Sequence, residues 1–418
     1  MTSAPATVPA GLRGHRDFRL LWTGQAVSAV GSNVTAVALP LVAVAVLDAG
    51  TFAVAVLTAA AWLPWLLVGL PVGAWVDRLP HRPVMIICDL VSLLLFLSIP
   101  VAAVAGLLTV GQLLAVALGG GLARVFFETA DQAYLPTLLR PEQVPAGNAR
   151  IQATQTASYV VGPGLAGVIA QAAGAVTALL VDAVSFLISA VCLWRIRAVE
   201  PARPPARTGA SLRQEIAVGV RFVARDPYLR VLAVFGAASN IGLVGYQAVL
   251  VVFLVRTVGL PPGQVGVLIG LTSLGGVLGA TIATAVARRV GTARALLLAG
   301  AGTGPPALLV PLTGAGPRVA WLLLGGVVVS LAVAVGNVVK GSFRQTYTPP
   351  ALLGRVTVSM HLLNYGTIPL GAVAAGAIGG AWGPGRAIWM LTGWLAVTPL
   401  ILLLGPLRRR RELPLRPA

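Results

Sequence analysis

Apolar residues in this chain fall in long runs that neither alternate nor confine themselves to one helical face. A hydrocarbon core about 30 Å thick needs about 20 apolar helical residues to cross it. Twelve such runs can be read, approximately Leu20–Leu47, Phe52–Val76, Val84–Ala105, Val110–Tyr134, Ile151–Ala172, Val176–Trp194, Leu229–Val255, Val265–Ala287, Ala295–Thr313, Val319–Val339, Val356–Trp382 and Ala387–Leu404. Only helices and closed barrels satisfy their backbone in lipid, and these runs are too long and unalternating for barrel strands. The pattern predicts an all-α membrane protein with twelve transmembrane helices.

The polar segments between the runs set the orientation. One side receives Arg16 and Arg19, Arg78 and Arg82, Arg140 and Arg150, Arg288 and Arg289, Lys340, Arg344 and Arg355, and the tail Arg408 to Arg411. The other receives Arg256, Arg318 and Arg386, one to a loop. The positive-inside rule puts the rich side, and with it both termini, in the cytoplasm. No cleavable leader is expected, because the first apolar run is too long for a signal-peptide core.

The longest polar stretch divides the chain. It opens with Pro201, Pro204 and Pro205 and continues with Leu212, Ile216, Val220 and Val223 at helical spacing. That reads as a flexible linker followed by an amphipathic helix on the cytoplasmic membrane surface. The expected units are a six-helix bundle over 1–194, a linker over 195–228, a second six-helix bundle over 229–407 and a basic tail over 408–418. The bundles look like repeats. Gln132-Ala-Tyr134-Leu-Pro136 at the end of the fourth run is echoed by Gln345-Thr-Tyr347-Thr-Pro349 at the end of the tenth. Many secondary transporters are built from such repeats, with the substrate site near the midplane between them.

Composition agrees with the membrane reading. The chain is 57% hydrophobic and 10% charged, with a mean hydropathy of +0.89. A net charge of +18 would suit nucleic acid, but the arginines sit in short segments between apolar runs, which argues against that partner. Lys340 is the only lysine. With so much Ala, Gly, Val and Pro, this composition suggests a high-GC bacterium and a multi-pass place in its cell membrane. Cys88 and Cys192 lie inside runs and read as small packing residues. No cofactor and no metal site is expected, and a monomer suffices.

The carboxylates are distributed unevenly. None occurs between Asp226 and Glu412, whereas Asp89, Glu128, Asp131 and Asp182 lie in apolar stretches of the first half. Ionisable groups in a membrane are costly and are functional candidates by default. Arg124, Glu128 and Asp131 share one face of the fourth run at spacings of four and three. Glu128 is the candidate proton-coupling residue, with Arg124 modulating it, and Asp131, nearer the cytoplasmic end, reads as a gate or interface residue. A static ion pair is the competing reading of Arg124 and Glu128. Asp182 reads as a structural hydrogen bond to a neighbouring helix. His361, Asn364, Tyr365 and Tyr159 are further polar residues within runs.

After the second run comes Gly73-Ala-Trp-Val-Asp77-Arg78-Leu-Pro80-His81-Arg82. This resembles the major facilitator superfamily signature Gly-x-x-x-Asp-Arg-x-Gly-Arg-Arg, with Pro80 and His81 as departures. Phe18 to Gln25, Leu135-Pro136 through Asn148, Gly219-Val-Arg221-Phe222 and Gly354-Arg355 are similar to segments of its exporter branch, which includes the enterobactin exporter and macrolide-efflux proteins. The resemblance implies a loop that bridges the two halves in the cytoplasm and favours the outward-facing state, built on Gly73, Asp77, Arg78 and Arg82, with Asp89 in the same charge cluster. Gly73 would permit close helix approach. The resemblance also implies a cavity lined by spans 1, 4, 7 and 10, hence Asn33, Asn240, Gln247 and Asn337 as substrate contacts, with a hydrogen bond between helices as the competing reading for each. Gly162, Pro163 and Gly167 resemble the fifth-span motif of drug/proton antiporters and suit tight helix packing.

The function that follows is export of a lipophilic or amphiphilic small molecule in exchange for protons. A nutrient importer or an uncoupled facilitator shares the architecture. A membrane enzyme would need clustered nucleophiles, acid–base pairs or metal ligands. The three histidines, His15, His81 and His361, are scattered. A sensor would normally bring a soluble domain.

Overall fold

The computed structural model describes residues 12–76, 78–198, 200 and 212–414. Its long helices are α1 (Arg16–Ala45), α2 (Thr51–Val76), α3 (His81–Val104), α4 (Val110–Leu138), α5 (Val144–Ala173), α6 (Ala175–Arg195), α8 (Pro227–Val252), α9 (Pro262–Val290), α11 (Ala320–Tyr347) and α12 (Pro350–Trp382). Shorter ones are α7 (Leu212–Arg225), α10 (Thr292–Thr303), α13 (Pro384–Val397) and α14 (Pro399–Leu404). α8 runs on through a π turn at Phe253–Thr257, and α10 through a 3-10 segment at Pro305–Leu312.

Among the described residues, 11 helical segments are long and apolar enough to cross a membrane. The expected fifth run is the exception. It forms α5, a helix of 30 residues, but Asn148, Arg150, Gln152 and Gln155 dilute its first half.

The helices pack in two sets with the same pairings. In the first set α1 packs on α5 and α6, α2 on α4, and α3 on α4 and α6. In the second, α8 packs on α12 and α13, α9 on α11, and the α10 segment on α11 and α13. Each pairing in one set has its counterpart in the other. The turns repeat too. Gly174 joins α5 to α6 at φ 89° and ψ 152°, and Gly383 joins α12 to α13 at φ 88° and ψ 155°. A one-residue turn at such a φ favours glycine, which lacks the Cβ that would clash. The echoed tyrosines fall in equivalent places, Tyr134 at the end of α4 and Tyr347 at the end of α11, both fully buried.

The sets meet along two seams, α5 on α9 and α2 on α12. In each, the part of the helix remote from the chain termini makes the closest approach. Gly167 of α5 lies against Gly263 and Gly266 of α9, and Gly376 and Gly379 of α12 against Phe52 and Thr51 of α2. Buried side chains follow the same division. At this remote end one core cluster runs through both sets, with Val34, Leu41, Ala166, Val252, Val265 and Ala372 among its members. At the terminal end the core splits. Phe18, Val72, Tyr134 and Leu193 form one cluster within the first set, and Leu229, Val339, Tyr347 and Leu407 another within the second. The molecule is therefore closed across its two sets at the remote end and parted at the terminal end.

α7 is a helix as expected, but it does not simply lie along a membrane surface. It packs on α12, and a Cβ at Gly219 would meet the Arg355 carbonyl at 2.5 Å. Val223 is buried and Val220 exposed. The side chains of Leu212 and Ile216 lie outside the described residues.

Candidate functional site

Arg124 stands 14 residues from either end of α4, about 21 Å along the axis at 1.5 Å per residue. It is thus at mid-depth. Arg124 Nε donates to Glu128 Oε1 at 2.6 Å. The side chains are 53% and 37% exposed. Such exposure halfway along a helix packed on α2 and α3 marks a cleft rather than a core position. Pairing offsets much of the cost of holding either charge inside a membrane.

Aromatic side chains from both sets close around the pair. The Arg124 guanidinium lies 5.5 Å from the Trp62 ring centroid, a cation–π distance. Tyr365 of α12 packs against Trp62 at 5.6 Å and Trp65 at 5.4 Å, both on α2. His361, one turn before it, lies 5.3 Å from the Tyr365 ring. Glu128, Arg124, Tyr159 and Arg344 are all within electrostatic reach of Tyr365. The site therefore lies between the sets, with an ion pair on the α4 wall and a tyrosine on the α12 wall. The tryptophans were not legible as site residues in the sequence. Their only signal is a spacing of three in an otherwise aliphatic run, which also describes ordinary core.

The other three carboxylates are tied to neighbouring helices of the first set. Asp131 accepts a hydrogen bond from Gln25 of α1. Asp182 of α6 accepts from Thr35 of α1 at 2.6 Å and from Ser185 at 3.1 Å. Asp89 is buried in α3, beside Ser189 of α6 and close enough to Asp182 to interact with it. Asp89 thus lies along the α3–α6 contact, away from the basic loop that precedes α3.

That loop is held by a residue the sequence did not single out. Glu200 accepts from the backbone N–H groups of His81 and Arg82 at 2.9 and 2.7 Å, supplying acceptors for the unpaired first turn of α3. Arg82 donates to the carbonyls of Leu193 and Trp194 at 2.8 and 2.5 Å, at the end of α6. A cation on a helix C-terminus is favourable. In this conformation Arg82 ties the loop to its own set. Arg78 is exposed, and Asp77 lies outside the described residues. A Cβ added at Gly73 would meet nothing within 4 Å, so no close helix approach depends on Gly73 here. The reason is its place at the parted end of α2.

The candidate cavity residues separate. Asn33 donates to Ser158 of α5 at 3.0 Å and to its own helix at Ala29. Asn240 donates to the Asn364 carbonyl of α12 at 3.1 Å. Both are spent on helix–helix contacts. Gln247 and Asn337 are exposed. Gly162 and Gly167 pack as close-approach positions, against Asn33 and against α9 respectively, and the Pro163 carbonyl faces Gly266. A separate groove of about 780 Å³ between α1, α5 and α6 has no charged lining residue. Among the described residues no cluster of His, Cys, Asp and Glu has the makings of a metal site.

Two sets of membrane-crossing helices around an inter-set cleft define a secondary-transporter architecture. The sequence profile of the family described as "Transmembrane secretion effector" matches residues 7–417, and the chain belongs to this family of the major facilitator superfamily. It is 30% identical over 409 residues to the multidrug efflux pump Tap of Mycolicibacterium fortuitum, covering 92% of this chain and 94% of that one. It is 26% identical over 418 residues to the enterobactin exporter EntS of Citrobacter koseri, covering 96% and 95%. Among solved structures it is similar to the nucleoside transporter NupG, with a TM-score of 0.75 at 12% identity over 94% of this chain and 99% of that one. A bacterial homologue of the iron transporter ferroportin gives 0.74 in its inward-facing state, at 15% identity over 94% and 99%. The same homologue gives 0.58 in its outward-facing state, at 16% identity over 93% and 98%.

Proposed function

We propose that this chain is a secondary active exporter that extrudes a lipophilic or amphiphilic small molecule in exchange for protons. Its two helix sets act as two six-helix bundles, α5 included as the twelfth crossing, and rock about the cleft between them. The parted end faces the cytoplasm together with both termini, as the basic loops require. The conformation is then inward-facing, which the higher TM-score to the inward-facing ferroportin homologue supports. The chain works as a monomer in the cell membrane of a high-GC bacterium.

The observation that carries this reading is the Arg124–Glu128 pair, held at mid-depth in a cleft that aromatic residues of both sets close. Glu128 pairs with a cation on its own helix, whereas Asp131 and Asp182 are held by side chains of α1. A substrate or a proton that disturbs this pair acts where the two sets meet, so site occupancy and the rocking motion are coupled. The aromatic and aliphatic walls suit an apolar body. Similarity over nearly the whole chain to the efflux pump Tap and the exporter EntS favours export over import.

Efflux from an exporter-deficient bacterial host tests this reading. Lipophilic antibiotics and dyes would be followed with wild type and Glu128→Gln, with and without a protonophore, at matched protein levels. Extrusion abolished by the protonophore and by the substitution is expected. Extrusion that persists in Glu128→Gln would move the coupling site elsewhere. Accumulation instead of extrusion would make the chain an importer.

A further inference from the structure

Charge is not balanced across the cleft. On the α4 wall Arg124 and Glu128 neutralise one another. On the facing α11 wall stand Lys340 and Arg344, one turn apart, and the second set holds no carboxylate to match them beyond Asp226. Asp226 is already committed: it accepts from the N–H groups of Tyr228 and Leu229 at 3.0 and 2.8 Å and from the Tyr347 hydroxyl at 2.6 Å.

Neither cation is an ordinary loop anchor. Arg344 Nε is buried and has no hydrogen-bond partner among the described residues. Lys340 lies seven residues before the end of α11, about 10 Å inside it, with its ammonium 5.8 Å from the ring of buried Phe235. A positive-inside bias explains arginines in loops, where water solvates them. It does not explain a lysine over an aromatic ring inside the protein, or a guanidinium nitrogen shut away from both water and partner. Both side chains are half-buried, and a cation withdrawn from water without a carboxylate partner is costly. Arg344 is in electrostatic reach of Lys340, of His361 and of Tyr365, so the cations and the aromatic cluster belong to one site.

Resting on the export reading above, we infer that the exported molecule carries an acidic group, and that Lys340 and Arg344 hold it on the α11 wall. The aromatic residues Trp62, Trp65 and Tyr365 take the apolar body. The ligand class is an amphiphilic carboxylic or comparably acidic compound, ionised when bound. A guanidinium supplies paired donors to such a group, and an ammonium adds a point charge beside it.

The test uses the full-length protein in nanodiscs of zwitterionic lipid, with dansyl-aminoundecanoic acid and its methyl ester as matched probes. Binding is read as energy transfer from tryptophan to dansyl. Wild type is expected to bind the acid at least about tenfold more tightly than the ester, the weight of one charge-assisted contact. Arg344→Gln and Lys340→Gln should each shrink that preference while leaving ester affinity within about twofold, and Arg344→Lys should keep more of it than Arg344→Gln. Equal binding of acid and ester by wild type, or binding of neither, would overturn the inference. So would loss of acid and ester affinity together in Arg344→Gln, which would make Arg344 structural. Repeating the measurement with phosphatidylglycerol in the disc separates sources. If that lipid displaces the acid, a headgroup is the occupant and the assignment to the exported molecule falls. The assay reads binding and not extrusion, so a failure of export in cells leaves its outcome independent.

Discussion

Gly167 and Gly266 meet backbone to backbone: a Cβ on Gly167 would stand 2.8 Å from Gly266 Cα, closer than real Cβ contacts allow. The Gly-Pro motif of α5 is thus half of a seam whose other half is Gly263, Gly266 and Gly270 of α9. Small residues let helix backbones approach where lipid supplies no hydrophobic drive for association. Gly266→Val should cost about 1–3 kcal/mol of closed-state packing and loosen the remote end. Spin labels at Ala49 and Thr257, on either side of that end, should give a longer or broader distance distribution in the variant. An unchanged distribution would mean that α2 and α12 hold the end shut without this seam.

Asp48 and Arg256 also cross the remote end, at 2.5 Å. Asp48 is 95% exposed, so this pair should contribute little. Asp48→Asn should lower stability by less than about 1 kcal/mol, and the difference should fade in high salt. Thermal unfolding in detergent at two ionic strengths checks both statements.

The α1–α6 contact is where substitution should be most damaging to the fold. Asp182 is buried and depends on Thr35 and Ser185. Thr35→Val keeps the shape and removes a donor, which should cost about 1–3 kcal/mol. Gly31→Val should be worse, because its side chain would be driven into Ser185 and Asp182. Melting temperatures should fall in that order, and a tolerated Gly31→Val would mean that α1 and α6 are looser than described.

Arg82 and Glu200 brace the loop before α3 against the end of α6. Arg82→Gln should release the Leu193 and Trp194 carbonyls and leave the segment after α6 open to solvent. Faster hydrogen exchange at residues 196–198 is the expected result, with little change in the interior of α3.

Much of the architecture could be read from hydropathy, because a membrane-spanning helix must be long and apolar whatever its neighbours are. The run containing α5 was legible by its position between the basic loop at Arg140 and Arg150 and the next apolar run, though its polar first half weakens its hydropathy. The internal repeat was visible in Tyr134 and Tyr347 but not in Gly174 and Gly383, because a glycine needing positive φ looks like any other among 49. The Arg124–Glu128 pair was legible because i, i+4 spacing is local. Its aromatic surroundings were not, since Trp62 and Tyr365 are brought together only by the α2–α12 seam. A hydrogen bond between helices was the competing reading for Asn33, Asn240, Gln247 and Asn337 alike, and the sequence did not show that it would hold for Asn33 and Asn240, because whether a polar side chain faces a cleft or a neighbouring helix depends on rotation and not on composition.

Proton-coupled export through this cleft is tested most directly in proteoliposomes with an imposed pH gradient and no other energy source. A fluorescent amphiphilic substrate would be added outside to protein whose cytoplasmic face is outward, with the lumen acidified. The expected result is uptake that rises with the gradient, collapses when a protonophore dissipates it, and is absent in Glu128→Gln. Uptake of equal rate with and without the gradient, or gradient-driven uptake that survives Glu128→Gln, would contradict it.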